Sequence, residues 1–353
     1  MPTQVVVLII VLACVLFGLF SWWGVRKLAQ RHTRSAVAQS PHKVHLDKQK
    51  VAVILNPAKA GSADAKTFIL RSTALAGWDT PLFLETSAED PGFAQARQAL
   101  DFGADVVIAG GGDGTVRAVA EALRHTDIPL GLIPLGTGNL LARNIALDIN
   151  DIHSNVQTAL FGHQRRIDTA VMETENSVTG ATGRHAFLVI AGLGMDAEVM
   201  GDTNDQLKKT VGWLAYSEAG MRHMVGRRKK ISIAMDDAPV QQRKVRTVLF
   251  ANCALLPGGI DFVPGALIDD GVLDVVVVSP RSAIGWVAMM GKILFQHKGG
   301  IPVIDFYRTR TVTVRTAMPV ETQLDGDPAG PATRVTVTVD PASLLVRVPA
   351  PTA

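Results

Sequence analysis

The sequence predicts an α/β plus β protein made of an N-terminal transmembrane helix, a doubly wound parallel-sheet domain and a β-sandwich-like second domain. An uncharged apolar segment opens the chain, short apolar runs alternate with helical runs over residues 50–165, and runs with a period of two follow over residues 166–349. Alternating strands and helices are typical of a parallel sheet covered on both faces. Successive amphipathic strands are typical of antiparallel sheets.

The composition limits the class of protein. The chain has 353 residues, 47% hydrophobic residues and a formal net charge of +3. It can therefore bury a sizeable core in two domains, and it lacks the strong positive charge that is typical of nucleic-acid-binding proteins. Its cysteines, Cys14 and Cys253, are far apart in sequence, which argues against a disulfide framework and a CxxC metal site.

The first 25 residues predict a membrane anchor. Residues 2–25 carry no charge, and the stretch from Val5 to Trp23 is almost continuously apolar. About 20 helical residues span the hydrocarbon core of a bilayer. A cleaved signal peptide is the alternative, but the segment lacks a basic residue at its start. The basic residues from Arg26 to Arg34 place the rest of the chain in the cytoplasm. We therefore expect a single-pass protein of the cytoplasmic membrane, with 1–25 as its anchor.

The elements after the anchor follow in order. Residues 26–49 are basic and polar, which predicts a juxtamembrane linker. In the first domain, 50–165, strands are predicted at 51–55, 80–85, 104–109 and 128–135, and helices at 63–76, 93–102, 115–124 and 140–146. In the second domain, 166–349, strands are predicted at 245–253, 272–279, 309–315, 334–339 and 344–348, with a helix at 283–296.

The motif Gly-Gly-Gly-Asp-Gly-Thr at 110–115 directly follows an apolar strand. A carboxylate repels phosphate unless a divalent cation lies between them, so Asp113 in a glycine-rich turn indicates metal-assisted phosphoryl transfer. A tight strand-to-helix turn without a ligand is the simpler alternative. A second turn, Gly-Thr-Gly-Asn at 136–139, follows the next predicted strand and favours a ligand site. Both turns would face one crevice, because the carboxyl ends of parallel strands meet at one edge of a sheet.

On these two motifs the chain resembles the diacylglycerol kinase catalytic family, whose relatives include bacterial lipid kinases and the sphingosine and ceramide kinases. The resemblance extends from about Lys50 to about Pro349. It implies a lipid kinase that uses ATP and Mg2+ to transfer the γ-phosphate to the hydroxyl of a diacylglycerol-like or sphingoid lipid, in a cleft between two domains. The partners expected are the membrane lipid substrate and, through Val5 to Trp23, the bilayer. Nucleic acid is not expected, and a homodimer is left open.

The resemblance also implies the nucleotide-binding residues. They lie in the loop after the first strand, at the end of the second strand and in the two glycine turns: Asn56, Pro57, Lys59, Thr86, Gly110, Gly111, Gly112, Gly114, Thr115, Gly136, Thr137, Gly138 and Asn139. For Lys59, a solvated loop lysine is the alternative. A P-loop at 61–67 is excluded because the glycine before Lys-Thr is absent.

Acidic residues complete the implied site. Asp113 and Asp168 would face the catalytic magnesium, although a surface carboxylate is an equal alternative for Asp168. Asp270 would hold a structural magnesium through its side chain, together with the carbonyls of Leu267 and Val272. From the residues alone, the Asp-Gly pair at 270–271 indicates a plain β-turn.

Asp327 is the implied general base, at the third position of a motif that reads Asp-Gly-Glu in the family and Asp-Gly-Asp here. A base at this place accepts the proton of the lipid hydroxyl while that oxygen attacks the γ-phosphorus. Aspartate is one methylene shorter than glutamate, so its carboxylate needs a backbone shift, a bridging water or a bulkier substrate pose to reach the proton. Leu140 is a second departure, since many relatives carry an aspartate there.

Two other functions stay open at this point. An NAD kinase shares the GGDGT turn, but the predicted anchor and the Pro-Leu-Gly-Thr-Gly-Asn block argue against it. A non-catalytic nucleotide- or lipid-binding protein could retain the scaffold after losing the glutamate. Residues 207–225 could form an apolar helix that admits an acyl chain, and the basic run 227–230 could bind headgroups, although a buried helix and a solvated surface are more common. The sequence does not specify the lipid.

Overall fold

The first part of the fold is a parallel sheet whose strands are buried on both faces. The computed structural model of the chain describes residues 48–194, 228–256, 260–263, 265–279 and 304–350. The parallel strands are β1 (Val51–Leu55), β2 (Leu82–Glu85), β3 (Val106–Gly111) and β4 (Leu130–Pro134), in the order β4-β3-β1-β2. Their continuous Val, Ile and Leu runs match burial on two faces.

Helices cover both faces of this sheet. They are α1 (Ser62–Leu75), α2 (Phe93–Asp101), α3 (Asp113–Leu123), α4 (Leu140–Asn144) and α5 (Ile152–Phe161). One apolar core contains Val119 and Leu123 of α3 with Ile54 and Leu132 of the sheet. A separate core packs Ile69 of α1 and Leu160 of α5 against the opposite face, with Val53, Ile108 and Ile133. The predicted doubly wound α/β arrangement is therefore confirmed.

The second part is antiparallel. Its strands are β5 (His163–Glu175), β6 (Thr182–Phe187), β7 (Ile190–Leu193), β8 (Lys229–Met235), β9 (Gln241–Val245), β10 (Thr247–Ala251), β11 (Leu255–Leu256), β12 (Ile260–Asp261), β13 (Leu273–Val278), β14 (Ile304–Thr309), β15 (Thr311–Leu324) and β16 (Asp327–Val348). Their inward side chains form a core of their own that includes Phe187, Phe250 and Val337. The predicted β-rich second part is confirmed.

The last strand joins the two parts. β16 pairs antiparallel with β15 and β5, and it also pairs parallel with β4 at Val346 and Leu130. The sheet therefore continues from the second part into the first, in the order β14-β13-β10-β7-β15-β16-β4-β3-β1-β2. The predicted boundary between residues 165 and 166 falls inside β5. The domain limits remain a prediction, although the residues from Lys48 onward form one compact unit.

The membrane-spanning part of the predicted fold class needs correction. Within the residues described above, no helix is long and apolar enough to cross a membrane. The predicted anchor at 1–25 and the linker up to residue 47 lie outside those residues, as do the predicted helices at 207–225 and 283–296. The fold class of the described residues is therefore α/β plus β, and the predicted transmembrane helix and single-pass location in the cytoplasmic membrane are withdrawn.

Candidate active site

The two glycine turns touch each other at the carboxyl edge of the parallel sheet. β3 and β4 end side by side, and the backbone N–H of Leu135 donates to the Gly111 carbonyl at 2.9 Å. A Cβ on Gly136 would lie 2.7 Å from the Cα of Gly112. Since this is closer than carbon atoms approach without a shift, glycine at 136 lets the two turns meet in one crevice.

Asn139 holds the second turn in shape. Its backbone is left-handed, with φ of 49°, which asparagine tolerates better than most residues. Its side-chain oxygen accepts the Gly136 N–H at 2.9 Å, and its side-chain nitrogen donates to the Gly136 carbonyl at 2.7 Å. The buried Asn139 side chain therefore closes the loop, while Thr137 at its tip stays exposed.

Asp113 links the first turn to the second. It is the first residue of α3, and its carboxylate accepts the N–H groups of Asn139 at 2.9 Å and Leu140 at 2.6 Å. A Cβ on Gly138 would lie 2.5 Å from the carboxylate, so this position also favours glycine. The Asp113 side chain is thus fixed between both turns.

The electrostatics around Asp113 favour a cation. Burial is the largest cause that raises the pKa of the Asp113 carboxyl above its ordinary value. The negative charges of Asp325 and Asp327 raise this pKa further, while the amide bonds from Leu140 and Asn139 offset part of the rise. A divalent cation at this place would relieve the repulsion among the carboxylates.

The loop after β1 lies beside the first glycine turn. The Asn56 N–H donates to the Gly110 carbonyl at 2.9 Å, and the Asn56 side chain accepts the Ala58 N–H at 3.0 Å. The Asn56 carbonyl accepts the Ser62 hydroxyl at 2.6 Å, which ties the loop to the start of α1. Pro57 and Lys59 are exposed at the tip of this loop.

Two threonines are buried near the same edge. Thr86 follows β2, its N–H donates to the Leu55 carbonyl at 2.9 Å, and its hydroxyl is buried without a partner among the described residues. Because buried hydroxyls are normally hydrogen-bonded, an open donor here suits a polar group of a ligand. Thr115 is also buried and packs on Gly111, where a Cβ would lie 2.7 Å from that of Thr115. Gly114 directly precedes Thr115 in the first turn of α3.

Asp327 lies over the first turn of α3. Its Oδ2 accepts a hydrogen bond from Arg117 at 2.9 Å, and a Cβ on Gly114 would lie 3.4 Å from the same oxygen. The side chain of Asp327 is 54% exposed. The structure thus brings the predicted base to the helix that begins with Asp113, although the two residues are 214 positions apart in sequence.

Two residues at this place are absent from the sequence-based prediction. Asp325 is buried, and its carboxylate accepts the N–H groups of Leu188, Val189 and Ile190 at 2.9–3.0 Å. Burial raises its pKa, and these amides together with Arg117 offset part of the rise. Arg117 is the second. Its position four residues after Asp113, on the same side of a helix, was the available signal.

Asp168 sits deeper in the second part of the fold. Its side chain is buried, and its two oxygens accept the N–H groups of Gly271 at 2.6 Å and Ala342 at 2.7 Å. These bonds connect β5 with the 269–271 turn and with a bend in β16. The structure does not join Asp168 to Asp113 by a hydrogen bond, and its metal-binding role remains a prediction.

The proposed structural metal site contains an arginine. One oxygen of Asp270 accepts the Val272 N–H at 3.1 Å, and the other forms an ion pair with Arg308. The side chain of Leu267 is exposed. Among the described residues, no group of three or more His, Cys, Asp or Glu side chains is arranged to hold a metal. Metal binding by Asp270, Leu267 and Val272 therefore remains a prediction.

Comparison with known proteins agrees with the geometry. Residues 50–172 match the family described as "Diacylglycerol kinase catalytic domain", and residues 189–348 match the "YegS C-terminal NAD kinase beta sandwich-like domain". A Pseudomonas fluorescens protein named "Probable lipid kinase YegS-like" is 29% identical over 86% of this chain and 97% of its own length. A protein of the same name from Pseudomonas savastanoi pv. phaseolicola is 30% identical over 71% of this chain and 78% of its own length.

The fold is also similar to solved structures. The crystal structure of a diacylglycerol kinase from Bacillus anthracis superimposes with a TM-score of 0.67 at 22% identity, and the match covers 86% of this chain and 98% of the other. At this identity the likeness supports the fold alone. The family match and the Pseudomonas relatives carry the assignment of the chain to a family.

Proposed function

The chain belongs to the diacylglycerol kinase catalytic-domain family and is a lipid kinase; from this premise we propose that it uses ATP and Mg2+ to phosphorylate the hydroxyl of a diacylglycerol-like or sphingoid lipid. The observation that carries the proposal is the placement of Asp327 over the first turn of α3, next to the turns that Asp113 joins. A candidate base and a candidate phosphate site thereby share one crevice.

The triphosphate would be held by backbone groups. The first N–H groups of a helix have no partner inside the helix, and together with the helix dipole they attract anions. α3 spans 11 residues and starts directly at the Gly112 turn. The second turn adds further backbone at the same edge, and the buried hydroxyl of Thr86 is open to a polar group of the nucleotide.

The residues present fit a magnesium ion that is shared with the phosphates. Mg2+ commonly takes one or two carboxylates from the protein and completes its shell with phosphate oxygens and water. Asp113 is the carboxylate in the turn, and burial and its acidic neighbours raise its pKa. When bound, the ion would neutralise charge on the transferred phosphoryl group. The protein's part is to hold Asp113 still through the amides of Asn139 and Leu140.

Transfer would proceed with Asp327 as the base. Its carboxylate takes the proton of the lipid hydroxyl as that oxygen bonds to the γ-phosphorus and the bond to the β-phosphate oxygen breaks. The half-exposed side chain of Asp327 is accessible to a substrate. The proton ends on the Asp327 carboxyl, and ADP leaves.

Two alternatives are kept because particular observations favour them. The description of the second matched domain names an NAD kinase β-sandwich-like fold, so NAD is a possible acceptor. The shorter Asp327, already paired with Arg117, is also compatible with a catalytically weak binding protein. The Asp327→Glu variant tests the second alternative: a large gain in transfer indicates a degraded base, whereas a fall indicates a site already fitted to aspartate.

The test of the function uses the full chain with γ-labelled ATP and Mg2+. Diacylglycerol, sphingosine, ceramide and undecaprenol are offered in mixed micelles, and NAD is offered in solution. We expect diacylglycerol, sphingosine or ceramide to be labelled, and we expect Asp113→Asn, with its fold checked by circular dichroism, to abolish the labelling. Labelled undecaprenol, labelled NAD, or ATP binding without any labelled lipid would contradict the proposal.

A further inference from the structure

One side chain of α3 holds both ends of the turn that carries the candidate base. The Arg117 guanidinium donates through Nη1 to the Leu324 carbonyl and through Nη2 to Oδ2 of Asp327 at 2.9 Å. Its side chain is 18% exposed. These two acceptors flank Asp325 and Gly326, so Arg117 spans the whole Leu-Asp-Gly-Asp turn from the opposite side of the crevice.

The backbone of this turn is fixed from within the second part of the fold. The Asp325 N–H donates to the Ile190 carbonyl at 2.8 Å, and the Gly326 N–H donates to the Gln323 side chain at 2.9 Å. By contrast, the Asp327 side chain extends away from this network. Among the described residues, its carboxylate has one hydrogen-bond partner, which is Arg117.

We propose that Arg117 is a positioning residue for phosphoryl transfer, which holds Oδ2 of Asp327 and leaves Oδ1 to take the proton of the substrate hydroxyl. The inference rests on the proposed function, since it assigns a task within that reaction. Arginine stays charged throughout the working pH range, so it donates to Oδ2 without taking part in the proton transfer. Its second bond, to the Leu324 carbonyl, keeps the guanidinium in place once Asp327 is protonated.

The shorter side chain makes this support necessary. Aspartate ends one methylene closer to its own backbone than the family's glutamate, and a half-exposed carboxylate in water has no fixed direction. A bond from a charged guanidinium is among the stronger hydrogen bonds and fixes direction as well as distance. An ion pair with a half-exposed partner contributes little to stability. Its effect should therefore appear in turnover rather than in the free energy of unfolding.

The chain offers a matched control at the end of the same helix. Arg124 directly follows α3, seven residues after Arg117, and it forms an ion pair with Asp340 of β16. His125 contacts the same carboxylate at 3.0 Å. Arg124 and Arg117 thus each connect α3 to β16, but only Arg117 contacts the turn of the candidate base. Because the Arg124 side chain is 10% exposed, its loss should lower stability more.

The experiment compares Arg117→Ala, Arg117→Lys and Arg124→Ala in the full chain, with the lipid that the wild type phosphorylates best. We expect Arg117→Ala to lower kcat about 10- to 100-fold, because small displacements of a catalytic group have effects of this size. The KM values for ATP and lipid should stay within about twofold. Lysine should restore part of the rate, and Arg124→Ala should lower Tm while keeping kcat.

Several results would overturn the inference. An unchanged kcat in Arg117→Ala would overturn it. A rise in the KM for ATP would also overturn it, because it would mean that Arg117 binds the nucleotide itself. Equal losses of kcat in Arg124→Ala would indicate a general structural effect. An inactive wild type would refute the proposed function instead. If Asp327→Asn is inactive, adding Arg117→Ala to it should change nothing further, because both residues act through one carboxylate.

Discussion

Asp325 is a buried acidic residue of the candidate site, and its environment has a consequence for stability. Its carboxylate accepts three backbone N–H groups, yet burial still raises its pKa above the ordinary value. The folded protein therefore binds this proton more tightly than the unfolded chain does. This tighter proton binding adds to the free energy of unfolding at low pH. The contribution is lost as pH rises through the raised pKa of Asp325.

The direction of this pH dependence gives a prediction for the stability of Asp325→Asn. The variant removes one titrating carboxylate and also its repulsion of Asp113, so it should lose less stability on going from about pH 4 to about pH 7 than the wild type does. The Tm of the variant relative to the wild type should therefore rise over this range. Thermal unfolding in matched buffers measures the difference, and a constant or falling difference would contradict the assigned environment.

At the level of single residues, the sequence predicted the candidate site residues that lie in local motifs. It did not predict the candidate site residues whose contacts are far apart in sequence. Asp113 and the turn glycines were identifiable because both motifs follow apolar strands. Arg117 and Asp325 were missed because their partners lie 207 and 135–137 positions away. Leu140, the second departure from the family's pattern, makes its contact with the site through its backbone. Its side chain is buried in a core, and its backbone N–H rather than its side chain contacts Asp113.

At the level of elements, the contact between the two glycine turns can be tested from both sides. A Cβ on Gly136 would lie 2.7 Å from the Gly112 backbone, whereas a Cβ on Gly112 would lie 3.6 Å from the Gly136 Cα, an ordinary contact. Gly136→Ala should therefore lower the free energy of unfolding by about 1–3 kcal/mol.

Gly112→Ala is the matched control for this substitution, because it adds the same methyl group to the facing turn. It should change stability by less than Gly136→Ala. Chemical denaturation of both variants measures the difference, and equal losses would mean that the turns are not in contact as described.

The turn after residue 268 is a second element with a testable charge arrangement. Arg308 pairs with Asp270, and it lies opposite Asp274 where β13 and β14 pair. Burial and Asp270 raise the pKa of Asp274, while Arg308 opposes that rise. Removing the guanidinium would leave two neighbouring carboxylates without a counter-charge, which a divalent cation could replace.

Arg308→Gln should therefore gain more thermal stability from Mg2+ than the wild type does. Tm is measured with Mg2+ and with EDTA in both proteins. The control is Arg243→Gln, which removes a comparable surface pair with Asp305 away from Asp270. Equal Mg2+ effects in Arg308→Gln and wild type would show that the arginine does not compete with a cation at Asp270.

Prediction of the elements succeeded where the pattern was continuous. β1, β3 and β4 lie within two residues of their predicted limits, because each is an apolar run between turn residues. The long strands β15 and β16 were predicted only in pieces. β16 contains Pro328, Gly330, Pro331 and Pro341, which usually interrupt strands. The pairing of β16 with β5 accommodates Pro341 through a register shift between Asp340 and Leu344.

For the whole molecule, the two parts are linked at the crevice by strand and helix contacts. β16 pairs with β4 of the parallel sheet. Arg117 of α3 and Arg124, which directly follows α3, both form ion pairs with β16. The second part therefore presents Asp327 directly to the helix that begins at Asp113. This placement depends on pairing between residues far apart in sequence, which no local pattern specifies.

We propose Asp327 as the base in a phosphate site organised by Asp113. The most direct test of this role is a single-turnover measurement of γ-phosphate transfer to lipid by Asp327→Asn, with ATP affinity measured by calorimetry. We predict that transfer slows by at least about 100-fold, the usual effect of losing a general base. ATP affinity should stay within about twofold of wild type. Transfer at the wild-type rate, or a parallel loss of ATP binding, would contradict this account.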